Sequence, residues 1–326
     1  MKVIYLKNKG INELYVKETR LPAPNANEIL VRINAVALNY RDLLIIKNGW
    51  AINPKIPFSA SSAGVGIVEE IGKDVTLWKK GDRVTTHFFK PAEVPDGQLQ
   101  FIAGYVAIPE RAATAIPDSL TDEEAASLSI SGLAAWIALA QKAGVRAGHV
   151  VVLQGTGGTS ILALQIAKAS GAYIIALTRK VDKIEKLKLL GADHVVNYTE
   201  VPEWHQEVLD ITKGIGADVI VDVVGPATIS QSMKAVKEGG LIASIGVLSG
   251  SDATINLMDL ILKGIRLQGI IHKGDITFSG IDELYAFVTR HQIKPVIDKV
   301  FGFDQVKEAL DYLDSGQAFG KIIIKW

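Results

Sequence analysis

The sequence contains no cysteine. Disulfides, thiolate nucleophiles, iron–sulfur clusters and every zinc site built on Cys are thereby excluded. No charge excess exists either, because 35 Lys and Arg balance 35 Asp and Glu. A strongly basic nucleic-acid binder and an acidic-tail protein both lack their electrostatic footprint here, so nucleic acid is not an expected partner. The first nine residues carry Lys2, Lys7 and Lys9 but no apolar core long enough for a signal peptide. Long apolar runs are missing as well. The longest, Ala125 to Ala140, is broken by Ser127, Ser129, Ser131 and Gly132, and it falls short of the roughly 18 residues that a membrane span needs. A buried helix is expected there, and a soluble, cytoplasmic protein overall.

What is present is order along the chain. At roughly 100–200 residues per domain, the length predicts two domains. From residue 148 onward, apolar runs bounded by glycine alternate with helical patterns. The strands expected are His149–Gln154, Tyr173–Thr178, Asp193–Tyr198, Ala217–Val224, Leu241–Val247 and Arg266–His272. Six such runs, each followed by a helix, predict an α/β doubly wound parallel sheet of the Rossmann type, because parallel strands require helical crossovers. The first 120 residues instead show short β-rich segments separated by turn signals such as Pro22–Pro24, Gly72–Asp74 and Gly81–Asp82, which predicts a mostly antiparallel β domain. Two further strands, Val296–Phe301 and Lys321–Trp326, are expected to return to that domain. The boundaries expected are 1–121 with 291–326 for the β domain and 122–290 for the inserted nucleotide-binding domain.

The turn after the first run of the inserted domain is Gly155-Thr156-Gly157-Gly158-Thr159-Ser160. It fits G-x-G-x-x-G except that Ser160 replaces the last glycine. A glycine-rich turn alone is a weak signal and can be merely structural; between a buried strand and a helix it acquires the context that dinucleotide binding requires. An NAD site places an acid at the end of the second strand, about 20 residues later. Here that position reads Thr178-Arg179-Lys180, with Lys183 following and no carboxylate before Asp182. Arg179 and Lys183 suit a 2′-phosphate, with Thr178 as a neutral donor, so NADP(H) is expected over NAD(H). The competing reading makes these lysines and Arg179 the solvated start of a basic helix.

Further segments stand in a telling order: Ala37–Ile45 (ALNYRDLLI), Ser62–Val75 (SAGVGIVEEIGKDV), Lys79–Val84 (KKGDRV), Val152–Ala172, Leu190–Tyr198 (LGADHVVNY) and Phe319–Lys325 (FGKIIIK). In motif and spacing, nearly the whole chain resembles the medium-chain dehydrogenase/reductase superfamily, and within it the zinc-independent quinone oxidoreductase-like and alcohol dehydrogenase-like branch. The resemblance implies a GroES-like β domain on the substrate side and a Rossmann domain carrying NADP(H). It implies that Lys183 and Tyr198 hold the 2′-phosphate, that the loops at Gly225, Gly246 and Ile271 flank the cofactor, and that Lys321 closes over it. It also implies a homodimer joined through the edge strand near 266–272, since an exposed apolar edge otherwise invites aggregation.

Departures from the zinc-dependent pattern are equally informative. Those members carry a Cys near the position of Asn39 and a His-Glu pair where this chain has Ala60-Ser61, and the four-cysteine structural lobe is missing. The six histidines show no close ligand spacing. His87 is a candidate for the site, and Phe88, Phe89 and Phe101 are candidates for an apolar pocket, although core packing explains the aromatics equally well. No catalytic metal is expected. Without a Lewis acid, reduction of a quinone or of a C=C bond conjugated to a carbonyl is the less demanding chemistry. Asn39 and Tyr40 become the catalytic candidates, Tyr40 as the phenolic proton donor and Asn39 orienting the substrate oxygen or the ribose. A buried strand-end role for Tyr40 stays open, and Arg41 with Asp42 is expected to brace the turn. The remaining alternatives are a metal-free alcohol or aldehyde dehydrogenase and an NADPH-binding protein with little turnover.

Overall fold

The computed structural model describes residues 1–48, 64–86, 99–271 and 275–326. The chain opens with strands β1 (Lys2–Leu6), β2 (Leu14–Glu18) and β3 (Glu28–Ala37), helix α1 (Tyr40–Asn48), then β4 (Gly64–Ile71), β5 (Arg83–Thr86), β6 (Leu99–Ala103), β7 (Tyr105–Pro109) and β8 (Ala113–Ala115). A long helical segment follows, made of α2 (Asp122–Ser127) and α3 (Leu133–Trp136) with wide π-helical turns at Leu128–Gly132 and Ile137–Lys142. Then come β9 (Val150–Gln154), α4 (Gly158–Ala169), β10 (Tyr173–Thr178), α5 (Ile184–Leu190), β11 (His194–Asn197), α6 (Trp204–Ile211), β12 (Ala217–Asp222), α7 (Pro226–Ala235), β13 (Val236–Ser244), α8 (Leu257–Leu262) and β14 (Arg266–Gly269). The last elements are α9 (Asp275–Arg290), β15 (Ile297–Gly302), α10 (Val306–Asp314) and β16 (Lys321–Lys325).

Two compact units divide these elements: residues 1–131, 277–289 and 294–326 form one, and residues 132–276 with 290–293 form the other. Relative to the boundaries expected from sequence, residues 122–131 and most of α9 fall in the first unit. The first unit is built on a mostly antiparallel sheet in the order β15-β16-β3-β4-β5-β8, with β7 also pairing β3, and a separate three-stranded sheet β2-β1-β6. Both C-terminal strands therefore join it. β16 lies between parallel β15 and antiparallel β3, and Lys321 to Ile324 are all buried. The core gathers Ile29, Val31, Ile33 and Val36 from β3, Leu43 and Ile46 from α1, and Val306, Ala309 and Leu310 from one face of α10. Each such aliphatic side chain contributes roughly 1.5–3 kcal/mol by leaving water.

The helical segment begins where Thr121 caps α2, its hydroxyl accepting from Glu124 N while Glu124 Oε2 accepts from Thr121 N. This reciprocal pair satisfies two otherwise orphaned donors. The expected buried helix is helical throughout, and its π turns are the feature that composition did not show.

In the second unit all strand pairs are parallel, in the order β11-β10-β9-β12-β13-β14. Val152, Ile175, Leu177, Val196, Ile220 and Ile242 fill the core beneath α6 and α7, with Trp204, Val208, Ile229 and Met233. Continuous apolar runs form β9, β10, β12 and the second half of β13, as strands covered by helices on both faces require. β13 begins earlier than expected, at Val236. Its first half, Val236-Lys237-Glu238-Gly239-Gly240, shows no apolar run, so periodicity could not reveal it. No helix among the described residues is long and apolar enough to cross a membrane.

Candidate functional site

β9 ends in Gln154, and the backbone turns sharply at Gly155, whose φ of +75° lies in the left-handed region. Beyond the glycine itself and its two chain neighbours, no heavy atom lies within 4 Å of the place where a Cβ would stand on Gly155 or Gly157. The turn is thus an open cradle leading into α4. Gly157 caps that helix without a side-chain hydrogen bond, so the first N–H groups of a 12-residue helix remain available for an anion. Ser160, in the place of the last motif glycine, is buried, and its Oγ donates to the Gln154 carbonyl at 2.6 Å. A hydrogen bond here does what close glycine packing does elsewhere: it ties the first turn of the helix to the end of the strand. Gly158 and Thr159 start the helix beside it, both half-buried.

The end of β10 carries the other expected residues. Thr178 is buried and its Oγ1 accepts from Lys180 N at 3.1 Å. Arg179 is exposed, and Tyr198 packs partly buried against the core of the unit. Lys183 is only 3% exposed, and its Nζ donates to Thr156 Oγ1 at 2.9 Å. The structure therefore brings a lysine from the second βα connection onto the glycine turn. An open glycine cradle, an uncapped helix start and an adjacent cation fit a dinucleotide phosphate.

Sequence reasoning missed a buried polar network beneath this turn. Asp222, at the end of β12, is fully buried. Its Oδ1 accepts from Gly225 N at 2.8 Å and Val224 N at 3.1 Å, and its Oδ2 accepts from Ser232 Oγ at 3.0 Å and Gln154 Nε2 at 3.2 Å. The Thr228 hydroxyl also lies 3.0 Å from Oδ2. The loop at Gly225 and the loop at Gly246 pass so close that a Cβ on Gly246 would stand 2.2 Å from the Val223 carbonyl oxygen. Ile271, beyond β14, is exposed.

In the first unit, Asn39 is the residue that precedes α1. Asp42 reaches back so that its Oδ2 accepts from Asn39 N at 2.7 Å, half of a capping box. The Asn39 side chain is buried, with Nδ2 donating to the Ala37 carbonyl at 3.0 Å. Its Oδ1 accepts from Lys321 Nζ at 2.8 Å and from Ser131 Oγ at 3.1 Å. Lys321, expected at the cofactor, thus has its ammonium in this cluster, where burial pulls it down to about 8 against the opposing charge of Asp42. Burial pushes Asp42 up to about 7, opposed by the Asn39 N–H and by the charges of Arg41 and Lys321. Tyr40, the first residue of α1, is 37% exposed.

Ala60, Ser61, His87, Phe88, Phe89 and His272 lie outside the described residues, as does the side chain of Phe101. Among the described residues, no group of three or more His, Cys, Asp or Glu is placed to hold a metal ion.

A nucleotide cradle on a parallel sheet and a GroES-like antiparallel domain define a two-domain oxidoreductase of the dehydrogenase type. Residues 25–118 match the alcohol dehydrogenase GroES-like domain family, and residues 158–289 match the zinc-binding dehydrogenase family. A zinc-type alcohol dehydrogenase-like protein of Schizosaccharomyces pombe is 33% identical over 99% of this chain and 98% of its own length. A 2-methylene-furan-3-one reductase of Solanum lycopersicum is 32% identical over 99% of this chain and 79% of its own. The crystal structure of Escherichia coli quinone oxidoreductase complexed with NADPH superposes with a TM-score of 0.87 at 25% identity, covering 100% of both chains. The chain belongs to the medium-chain dehydrogenase/reductase superfamily, and it is an NAD(P)-dependent oxidoreductase.

Proposed function

We propose that the protein is a zinc-independent, NADPH-dependent reductase of quinones or α,β-unsaturated carbonyls. The observation that carries this reading is the ammonium of Lys321, 2.8 Å from Asn39 Oδ1. Asn39 stands near the position where zinc-dependent members of the superfamily carry a cysteine ligand. A buried cation against that side chain repels Zn²⁺ instead of binding it, so these residues do not fit a catalytic zinc. Relatives named quinone oxidoreductase, in Sus scrofa, and 2-methylene-furan-3-one reductase support the substrate class.

Gly155, Thr156, Gly157, Gly158 and Thr159 would hold the pyrophosphate, and Thr178, Arg179, Lys183 and Tyr198 the 2′-phosphate. Gly225, Gly246 and Ile271 would border the remainder of the cofactor. When bound, the nicotinamide supplies a hydride. Addition of hydride at the β-carbon of an enal moves an electron pair onto the carbonyl oxygen. Asn39 meets that oxygen by hydrogen bonding, and Tyr40 delivers the proton that completes the reduction.

Incubation of chelator-treated protein with NADPH and trans-2-hexenal is expected to give hexanal. Hexenol as the product would favour the metal-free alcohol dehydrogenase reading, for which the Schizosaccharomyces pombe relative speaks. NADPH binding with no turnover on enals or quinones would leave a binding protein.

The edge of the parallel sheet supports a homodimer. Among the described residues, β14 pairs with β13 alone, and its four residues are all exposed. Beside it in sequence, α8 exposes Leu257, Met258, Ile261 and Leu262, and Leu267 and Ile271 are exposed in the strand region itself. An unpaired edge flanked by apolar side chains is covered most simply by a second copy pairing edge to edge. Light scattering is expected to give twice the 35.1 kDa of one chain. Ile261→Glu is expected to yield the monomer, and a wild-type monomer at micromolar concentration overturns the assignment.

A further inference from the structure

In the strand order of the second unit, β10 and β11 lie on one side of β9, and β12, β13 and β14 on the other. Dinucleotides lie across the gap where such an order reverses, outside the carboxyl ends of the strands. With the pyrophosphate on the turn after β9 and the 2′-phosphate at the end of β10, the other half of the cofactor runs over the ends of β12 and β13. The helices that start on the two sides of this gap differ. α4 leaves its first N–H groups without a side-chain cap. α7 opens with Pro226, which has no N–H, and Gly225 gives it no side-chain cap either. A serine from another loop supplies the cap: Ser249 Oγ accepts from Ala227 N at 3.0 Å and donates to the Val224 carbonyl at 2.9 Å. The Gly225 N–H goes to Asp222 Oδ1, and those of Thr228 and Ile229 go to the Gly225 carbonyl. The start of α7 therefore offers no N–H to a phosphate.

The same bonds join two loops. The Val224 carbonyl also accepts from Ser249 N at 3.0 Å, and the Asp222 carbonyl accepts from Ile245 N at 2.8 Å and Gly246 N at 3.4 Å. Neither 223–228 nor 245–251 contains a charged side chain. Val223, Val224, Ile245 and Val247 are half-buried, and Leu248 is exposed. An uncharged, aliphatic border beside a helix whose N–H groups are already bonded suits a flat ring and not a phosphate.

We propose that Ser249 is a positioning residue: its hydroxyl clasps the Gly225 loop to the Gly246 loop, so that the border of the nicotinamide half is fixed before the cofactor arrives. This rests on the cofactor reading above. Ser249 acts through Val224 and the first turn of α7. A border already in place does not have to be ordered by the ligand, and the free energy saved goes into affinity. The saving applies to the whole cofactor and not to its adenosine half, which lies on the β10 side.

The test uses the full-length protein with Ser249→Ala and Ser249→Thr. Ser249 is exposed, so both variants are expected to fold. The alanine keeps the backbone bond to Val224 and removes both hydroxyl bonds; the threonine restores a hydroxyl. Hydrogen exchange without cofactor is expected to quicken by about fivefold or more at 224–229 and 245–250 in Ser249→Ala. Unchanged exchange in both segments overturns the clasp, whether or not any cofactor binds. By calorimetry, Ser249→Ala is expected to raise the Kd for NADPH about 5–10-fold while the Kd for adenosine 2′,5′-bisphosphate stays within about twofold. Ser249→Thr is expected to bind NADPH within about twofold of wild type. An NADPH Kd within about twofold of wild type in Ser249→Ala, or an equal loss for the bisphosphate, overturns the positioning role, the second result making Ser249 a purely structural cap. A wild-type protein that binds neither NADPH nor the bisphosphate would instead overturn the cofactor reading, while the exchange rates still decide the clasp.

Discussion

An Asp222→Ala protein is expected to melt roughly 10 °C below the wild type. The carboxylate is fully buried and receives hydrogen bonds from the N–H groups of Val224 and Gly225, from the Gln154 amide, and from the Thr228 and Ser232 hydroxyls. Truncation strands these donors out of water. Each stranded donor costs about 1–3 kcal/mol, but relaxation and an entering water reduce the sum to about 4 kcal/mol. Asp222→Asn separates charge from geometry. Its oxygen can still serve Val224 and Gly225, while its new NH₂ faces Gln154. The Gln154 Oε1 is buried without a hydrogen-bond partner, so the Gln154 amide can turn over and accept from that NH₂. The asparagine variant is therefore expected to lose only about 1–2 kcal/mol. Thermal unfolding of the three proteins checks the ranking. A Tm for Asp222→Ala within about 3 °C of the wild type would refute the view that this carboxylate ties the Gly225 loop and α7 to the end of β9.

This network marks where sequence reading ends. The parallel sheet was legible because most of its strands are apolar runs followed by a helix, a pattern with few competing folds. The return of the C-terminal strands was legible because the inserted sheet was already complete. β8 has three residues, too short for periodicity to register, and the first half of β13 hides behind Gly239 and Gly240. The glycine turn was legible as a motif, and Asn39-Tyr40 as part of a family segment. Lys321 is different: it lies 282 positions from Asn39, and no spacing rule links a lysine opening the last strand to a turn near the start of the chain. Gln154, Asp222, Thr228 and Ser232 converge in the same way, through strand order alone. Polar contacts between distant segments are fixed by topology, and a single sequence carries no local trace of them.

Lys183→Ala is expected to weaken NADPH binding by about 10–100-fold while changing the affinity for NADH by less than about threefold. A hydrogen bond from an ammonium to a phosphate contributes about 1.5–3 kcal/mol, and every 1.4 kcal/mol is tenfold in Kd. The two cofactors differ only in the 2′-phosphate, so NADH serves as the internal control for everything else the lysine does. That control matters because Lys183 Nζ also donates to Thr156 Oγ1 at 2.9 Å, bracing the turn that would hold the pyrophosphate of either cofactor. Loss of the brace lowers both affinities together; loss of a phosphate contact lowers one. The ratio of the two Kd changes isolates the phosphate contribution in the manner of a double-mutant cycle. Fluorescence titration with each cofactor measures it directly. Equal losses would make Lys183 a brace for the glycine turn and leave Arg179 and Lys180 as the remaining basic groups at the end of β10 to distinguish NADPH from NADH.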